Sequence, residues 1–223
     1  MDKAKIIKVQ KSVFADNDDK AAELRQELKK KGCFLVNVMS SPGSGKTTLL
    51  TQVINKMKDG YRIGVMEADI DGDIDANDII RNTGVEAIQL QTGGMCHLDA
   101  AMTAQGLHHL EAELPQLIFM ENVGNLVCPA SFDTGSSCNL VILSIPEGDD
   151  KPLKYPKMFE VADVVVINKM DTISLFDFDM DLFETYLREH NSECQVIPLS
   201  AKTGEGVDQL IAWLKREIEN WSK

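Results

Sequence analysis

The segment VNVMSSPGSGKTTLL, residues 36–50, limits the possible folds more than any other stretch of the chain. An apolar run of strand length enters a Gly-rich turn, and the turn opens onto residues with helical periodicity. A strand that feeds a helix in this way begins a crossover, so a parallel sheet flanked by helices is expected. The turn follows the phosphate-binding pattern GxxxxGK plus Ser or Thr, except that Ser40 stands where the first glycine belongs. Ser40 is expected to shape the loop entrance and leave the phosphate cradle unchanged. In such a turn the N–H groups of Gly43, Ser44 and Gly45 surround phosphate oxygens. Lys46 reaches the β- and γ-phosphates, and the Thr47 hydroxyl ligates Mg2+. Thr48 completes the nucleotide-binding stretch.

The rest of the chain repeats the theme. Short apolar runs at 33–39, 62–67, 87–91, 117–121, 139–145, 163–168 and 194–200 read as strands. Helical periodicity covers 19–32, 46–58, 97–114, 181–191 and 207–221, and residues 67–78 read as an acidic loop. Near-continuous Val/Ile/Leu strands alternating with helices indicate a buried, mostly parallel sheet in a three-layer α/β P-loop domain. Residues 1–32 are expected to form an N-terminal helical extension and 33–223 the nucleotide-binding domain.

Charge and cysteine usage narrow the function. With 23 basic and 35 acidic residues, the formal charge is −12, which disfavours nucleic acid and anionic membrane partners. No apolar run reaches the roughly 18–20 residues of a membrane span, and MDKAKIIKVQ has no signal-peptide core, so a cytoplasmic protein is expected. Five cysteines with no CxxC pair argue against a disulfide framework.

Four further motifs extend the nucleotide site. INKMD supplies Asn168, Lys169 and Asp171 at the end of a strand. An NKxD tetrad reads guanine: the carboxylate accepts from N1–H and the exocyclic amine together, a donor pair that adenine lacks. Ser200, Ala201 and Lys202 follow the next strand, where a loop backbone contacts guanine O6. In ENVG, Glu121 is placed to hold Mg2+ and the Gly124 N–H to sense the γ-phosphate. Within EADIDGDIDAND, Asp69 and Asp75 are the candidate carboxylates for Mg2+ or the attacking water. No arginine finger or water-positioning glutamine is evident, so slow intrinsic GTP hydrolysis is expected.

TGGMCHLDAAM places Cys96 beside His97, and Cys128 follows Gly124 in ENVGNLVCPASFDTG. Two soft ligands and an imidazole suit Ni2+ or Zn2+. A buried thiol beside an incidental histidine is, read from the residues alone, the commoner origin of such a pair. Cys33, Cys138 and Cys194, each in or beside an apolar strand, read as core, and His108, His109 and His190 as exposed.

TGGMCHLDAAM, ENVGNLVCPASFDTG, EGDDKPLKYPKMF and INKMD together resemble the nickel-incorporation GTPases of hydrogenase maturation, the HypB type, from about residue 33 to about residue 210. The resemblance implies that Cys96, His97 and Cys128 bind metal and that GTP binding pairs two chains into a homodimer. It implies partners in a nickel-metallochaperone protein and the hydrogenase large subunit. Urease accessory GTPases, which carry Cys-Pro-His in the switch segment, match less well. The sequence carries no N-terminal cysteine motif and four histidines in all, so the implied metal site is the one in the GTPase domain and storage is excluded. The competing readings are a chaperone for another nickel enzyme, a metal-free GTP switch with core cysteines, and a P-loop kinase.

Overall fold

The computed structural model describes residues 5–8, 16–69, 74–110 and 114–223. Eight strands among them form one sheet: β1 (Lys5–Lys8), β2 (Phe34–Ser40), β3 (Ile63–Asp69), β4 (Glu86–Gln91), β5 (Leu117–Glu121), β6 (Cys138–Ser144), β7 (Val164–Asn168) and β8 (Gln195–Pro198). Their order is β1-β4-β3-β5-β2-β6-β7-β8, and every described pair is parallel. The expected "mostly parallel" sheet is thus wholly parallel among the described residues. Strand order reverses at β2, so β2 ends at the topological switch point where α/β sheets bind ligands.

The helices are α1 (Asn17–Lys30), α2 (Lys46–Met57), α3 (Ile74–Thr83), α4 (Ala100–Leu107), α5 (Lys151–Lys154), α6 (Pro156–Glu160), α7 (Met180–His190) and α8 (Val207–Trp221). Alternation along β2 assigns them to two faces. Phe34, Val36 and Val38 pack with Leu49, Val53 and Ile54 of α2, Ala76 and Ile79 of α3, and Leu210 and Leu214 of α8. On the opposite face, Leu35 joins Leu24 and Leu28 of α1 and Met102 and Leu107 of α4. Met39 joins Met158 and Phe159 of α6 and Phe183 and Leu187 of α7. Each such side chain contributes about 1.5–3 kcal/mol by leaving water. The α8 end is pinned by Trp221, whose Nε1–H donates to the Cys33 carbonyl at 3.0 Å.

Three local expectations need correcting. The helix expected over 97–114 begins only at Ala100, because the Asp99 carboxylate accepts from Met102 N at 2.8 Å and caps it there. It ends at Leu107, so Cys96 and His97 lie in the loop before the cap. The acidic segment is not all loop: α3 starts at Ile74 because Ala76, Ile79 and Ile80 share one helical face against the core. Two short helices at 151–160 went unread; each begins at a proline-bearing first turn and is too short to show a period. No described helix is long and apolar enough to cross a membrane.

Candidate functional site

The turn between β2 and α2 is built on two left-handed glycines, Gly43 with φ 76° and Gly45 with φ 96°. A side chain at Gly45 is excluded on a second count, because its Cβ would lie 2.6 Å from Asn168 Nδ2. Lys46 is 8 % exposed. Its ammonium donates to Ser40 Oγ at 2.9 Å and lies 3.5 Å from Glu121 Oε1. Ser44 Oγ also bonds Ser40 Oγ, at 2.7 Å. Ser40 therefore does more than shape the entrance: it holds the lysine at the mouth of the cradle, a role the pattern's missing glycine concealed. The sequence also left Glu147 without a role; it bonds Ser41 of the turn and accepts from Ser144 N and Oγ at 2.7 Å each.

The residues of the 168–171 and 200–202 motifs converge on the β2–α2 turn. Asn168 Nδ2 donates to Ser44 O at 2.8 Å, while its Oδ1 accepts from Lys169 N at 2.7 Å and Ala201 N at 2.9 Å. One buried amide thus fastens the phosphate turn, the tetrad and the 200–202 loop together. Lys169 is the one non-glycine residue among those described with positive φ, 63°. That conformation costs about 1–2 kcal/mol. The bond from Lys169 Nζ to Gly43 O at 2.6 Å holds it there. Asp171 Oδ1 accepts from Ser200 Oγ at 2.7 Å, which orients its carboxylate. Lys202 is exposed in the turn that follows.

On the other side of the turn, Gly43, Gly45, Lys46, Thr47, Thr48, Asp69, Glu121 and Gly124 line one cleft of about 450 Å3. Parallel pairing aligns Glu67 of β3 with Glu121 of β5, which brings Asp69 and the 121–124 segment to the same rim. Gly124 abuts the phosphate turn, for its Cβ would meet Pro42 Cγ at 3.3 Å. Thr47, Asp69 and Glu121 are hard oxygen donors of the kind Mg2+ takes. Asp75 falls within α3, and its side chain lies outside the described residues.

Cys96 and Cys128 come together. The neighbouring Cys96 thiol pushes the Cys128 thiol above the usual cysteine range, helped by burial. His97 Nδ1 lies 3.9 Å from Cys96 Sγ, and its ring stacks on Phe132 with centroids 3.6 Å apart. His97 is 4 % exposed, so it backs the half-exposed Cys96 from the interior. Among the described residues, no three His, Cys, Asp or Glu side chains are gathered closely enough to hold an ion. The remaining cysteines, Cys33, Cys138 and Cys194, are core, and His108, His109 and His190 are exposed, as expected.

Sequence reasoning missed the asparagines. Asn122 Oδ1 accepts from Leu98 N at 3.2 Å and Val123 N at 2.9 Å, and its Nδ2 donates to Asn37 Oδ1 at 3.1 Å. Asn37 Nδ2 continues to Asn139 Oδ1 at 2.9 Å, and Asn139 Nδ2 to Val161 O at 3.0 Å. This amide ladder crosses β5, β2 and β6 beneath the site. Asn125 joins the two cysteine loops directly, through Cys96 O and Cys128 N. The only available signal was that ENVGN brackets Gly124 with amide side chains.

Comparisons with known proteins agree with this geometry. The model of the CobW/HypB/UreG nucleotide-binding domain matches residues 34–198. The hydrogenase maturation factor HypB of Rhizobium leguminosarum bv. viciae is 45% identical over 215 residues, covering 96% of this chain and 72% of that protein. The hydrogenase/urease maturation factor HypB of Helicobacter pylori is 39% identical over 222 residues, covering 97% of this chain and 90% of the relative. A crystal structure of Helicobacter pylori HypB in complex with nickel superposes with a TM-score of 0.85 at 39% identity, covering 93% of this chain and 98% of that one. On this family match, these identities and this superposition, the chain belongs to the HypB hydrogenase maturation factors of the CobW/HypB/UreG P-loop family.

Proposed function

We propose that the chain is a GTP-hydrolysing metallochaperone that delivers nickel during hydrogenase maturation. The observation that carries this reading is the continuity of one segment. Glu121 and Gly124 line the nucleotide cleft, and Cys128, on the same loop, meets Cys96. Whatever orders this segment at the cleft also places a thiol.

Asp171, oriented by Ser200, accepts from guanine N1–H and the exocyclic amine, so GTP is bound in preference to ATP. Lys46 passes from Ser40 and Glu121 to the β- and γ-phosphates, and Gly124 N–H meets the γ-phosphate. Thr47, Asp69 and Glu121 are the donors for Mg2+, which when bound neutralises phosphate charge. Asp75 is a further carboxylate for the attacking water. The described lining of the cleft contains no arginine and no glutamine, so intrinsic turnover falls well below the roughly 1–100 s−1 of kinases.

Cys96, Cys128 and His97 are the nickel or zinc ligands. One chain gathers no complete set of ligands among its described residues, so a second copy supplies the remainder in a GTP-bound homodimer. Hydrolysis removes the γ-phosphate contact, the segment relaxes, and the metal passes to a metallochaperone partner or the hydrogenase large subunit. The name of the Helicobacter pylori relative favours a second reading of the client, in which the same site serves urease as well.

The test is nickel and zinc binding with GDP and with a nonhydrolysable GTP analogue, with sedimentation on the same samples. The analogue should both dimerise the chain and tighten metal binding. By linkage, metal should tighten the analogue by the same factor. Equal metal binding in both states would leave a GTP switch with no gated delivery, and no metal at all would leave the cysteines structural. Cys128→Ala should abolish metal binding and keep the metal-free GTP affinity.

A further inference from the structure

The two cysteines come from loops far apart in the sequence, so something must fix one thiol against the other. Their backbones are joined by a single side chain. Asn125 Nδ2 donates to Cys96 O at 2.6 Å, and its Oδ1 accepts from Cys128 N at 2.8 Å and Val127 N at 3.0 Å. The amide thus has its donor on one cysteine and its acceptor on the other. Asparagine is the smallest side chain that offers both arms, and its acceptor arm closes a turn over its own next residues.

The neighbourhood separates a fixed part from a movable one. Asn122 is 1 % exposed and anchored in the sheet through Asn37, and it holds Leu98 N, just beyond His97. Asn125 lies past Gly124, outside any strand, and is half-buried. Between them, Gly124 rests on Pro42 of the phosphate turn. A displacement at Gly124 therefore reaches Asn125 directly, while Asn122 stays with the sheet.

We propose that Asn125 is a positioning residue that clamps Cys96 to Cys128 and makes them a two-thiolate pair able to take one soft divalent cation. The inference rests on the metal reading of these cysteines given above and adds the residue that sets their geometry. Its role is distinct from ligation, because neither arm of the amide is needed to touch the ion. Its loss should act as outer partners of metal ligands do, lowering metal affinity by about 10–100-fold.

The experiment titrates Co2+ into the full chain with Mg2+ and a nonhydrolysable GTP analogue, following the thiolate-to-cobalt charge-transfer band. Four chains are compared: wild type, Cys96→Ala, Asn125→Ala and Asn125→Asp. Asn125→Asp keeps the acceptor arm on Val127 and Cys128, so the local turn survives, but it turns an oxygen toward the Cys96 carbonyl. The result expected is that Asn125→Asp behaves like Cys96→Ala: a weaker band per cobalt, of about half the wild-type intensity, and affinity lowered by about tenfold or more. GDP affinity and thermal midpoint should stay close to wild type in both Asn125 variants. A band of full wild-type intensity in both Asn125 variants overturns the clamp alone. Loss of GDP binding in step with metal binding also overturns it, since the residue would then be structural. Absence of a thiolate band in the wild type removes the metal reading and the clamp with it.

Discussion

Asn168 and Ser44 stand 124 residues apart and are joined by a 2.8 Å hydrogen bond from the Asn168 amide to the Ser44 carbonyl. The same side chain accepts from Lys169 N and Ala201 N, so three loops take their relative positions from one buried group. Asn168→Ala removes all three bonds and leaves a buried carbonyl and two amides without them. Each such group costs about 1–3 kcal/mol. The expected result is a thermal midpoint several degrees lower and guanine nucleotide affinity reduced by about tenfold to a hundredfold. Calorimetry with GDP checks the second and differential scanning the first.

Base choice should reverse on one atom. Asp171 offers guanine two acceptors, with one oxygen steadied by Ser200 Oγ at 2.7 Å. Asp171→Asn replaces one acceptor by a donor, which clashes with the guanine exocyclic amine but matches the O2 carbonyl of xanthine. GTP affinity should fall by about a hundredfold or more, and xanthosine triphosphate should bind better than GTP. Competition against a fluorescent nucleotide reads the ratio. Unchanged preference for GTP would show that Asp171 does not face the base.

Five cysteines should divide into two classes. Burial pushes the Cys33 thiol up to about 12 and the Cys194 thiol to about 11, and raises the Cys138 thiol as well. A raised thiol pKa keeps the proton on, so these three stay neutral and unreactive as pH rises through the range where a free thiol ionises, near 8.5. At about pH 8.5 iodoacetamide should label the half-exposed Cys96 readily, the half-exposed Cys128 more slowly because its thiol is also pushed up, and spare the other three. Peptide mass mapping after quenching checks this, and Ni2+ added beforehand should protect both labelled sites.

The legible parts of this molecule were those with a short-range code. The β2–α2 turn, the 168–171 tetrad and the 117–121 strand could be read because glycine, lysine and apolar runs act on their immediate neighbours. The start of α4 was misplaced because the apolar pattern runs on through His97 and Leu98, and only the Asp99 cap stops it. α3 was hidden by its acids, since Asp75 and Asp78 mask the face carrying Ala76 and Ile79. The roles of Ser40, Asn122 and Asn125 could not be read, because each depends on partners that only the sheet register brings near. Cys96 and Cys128 were paired from the resemblance, and the contact between their thiols became visible only in the fold.

The ladder from Asn122 through Asn37 to Asn139 is made of amides alone. Amides hold no proton that ordinary pH can remove and carry no net charge for salt to screen. An equivalent run of ion pairs would loosen as ionic strength rises and come apart as its carboxylates protonate. The attachment of the cysteine loop to the sheet through this ladder is therefore insulated from pH and ionic strength. On the proposed function, metal capture would vary with acidity and salt while this part of the frame keeps the same dimensions.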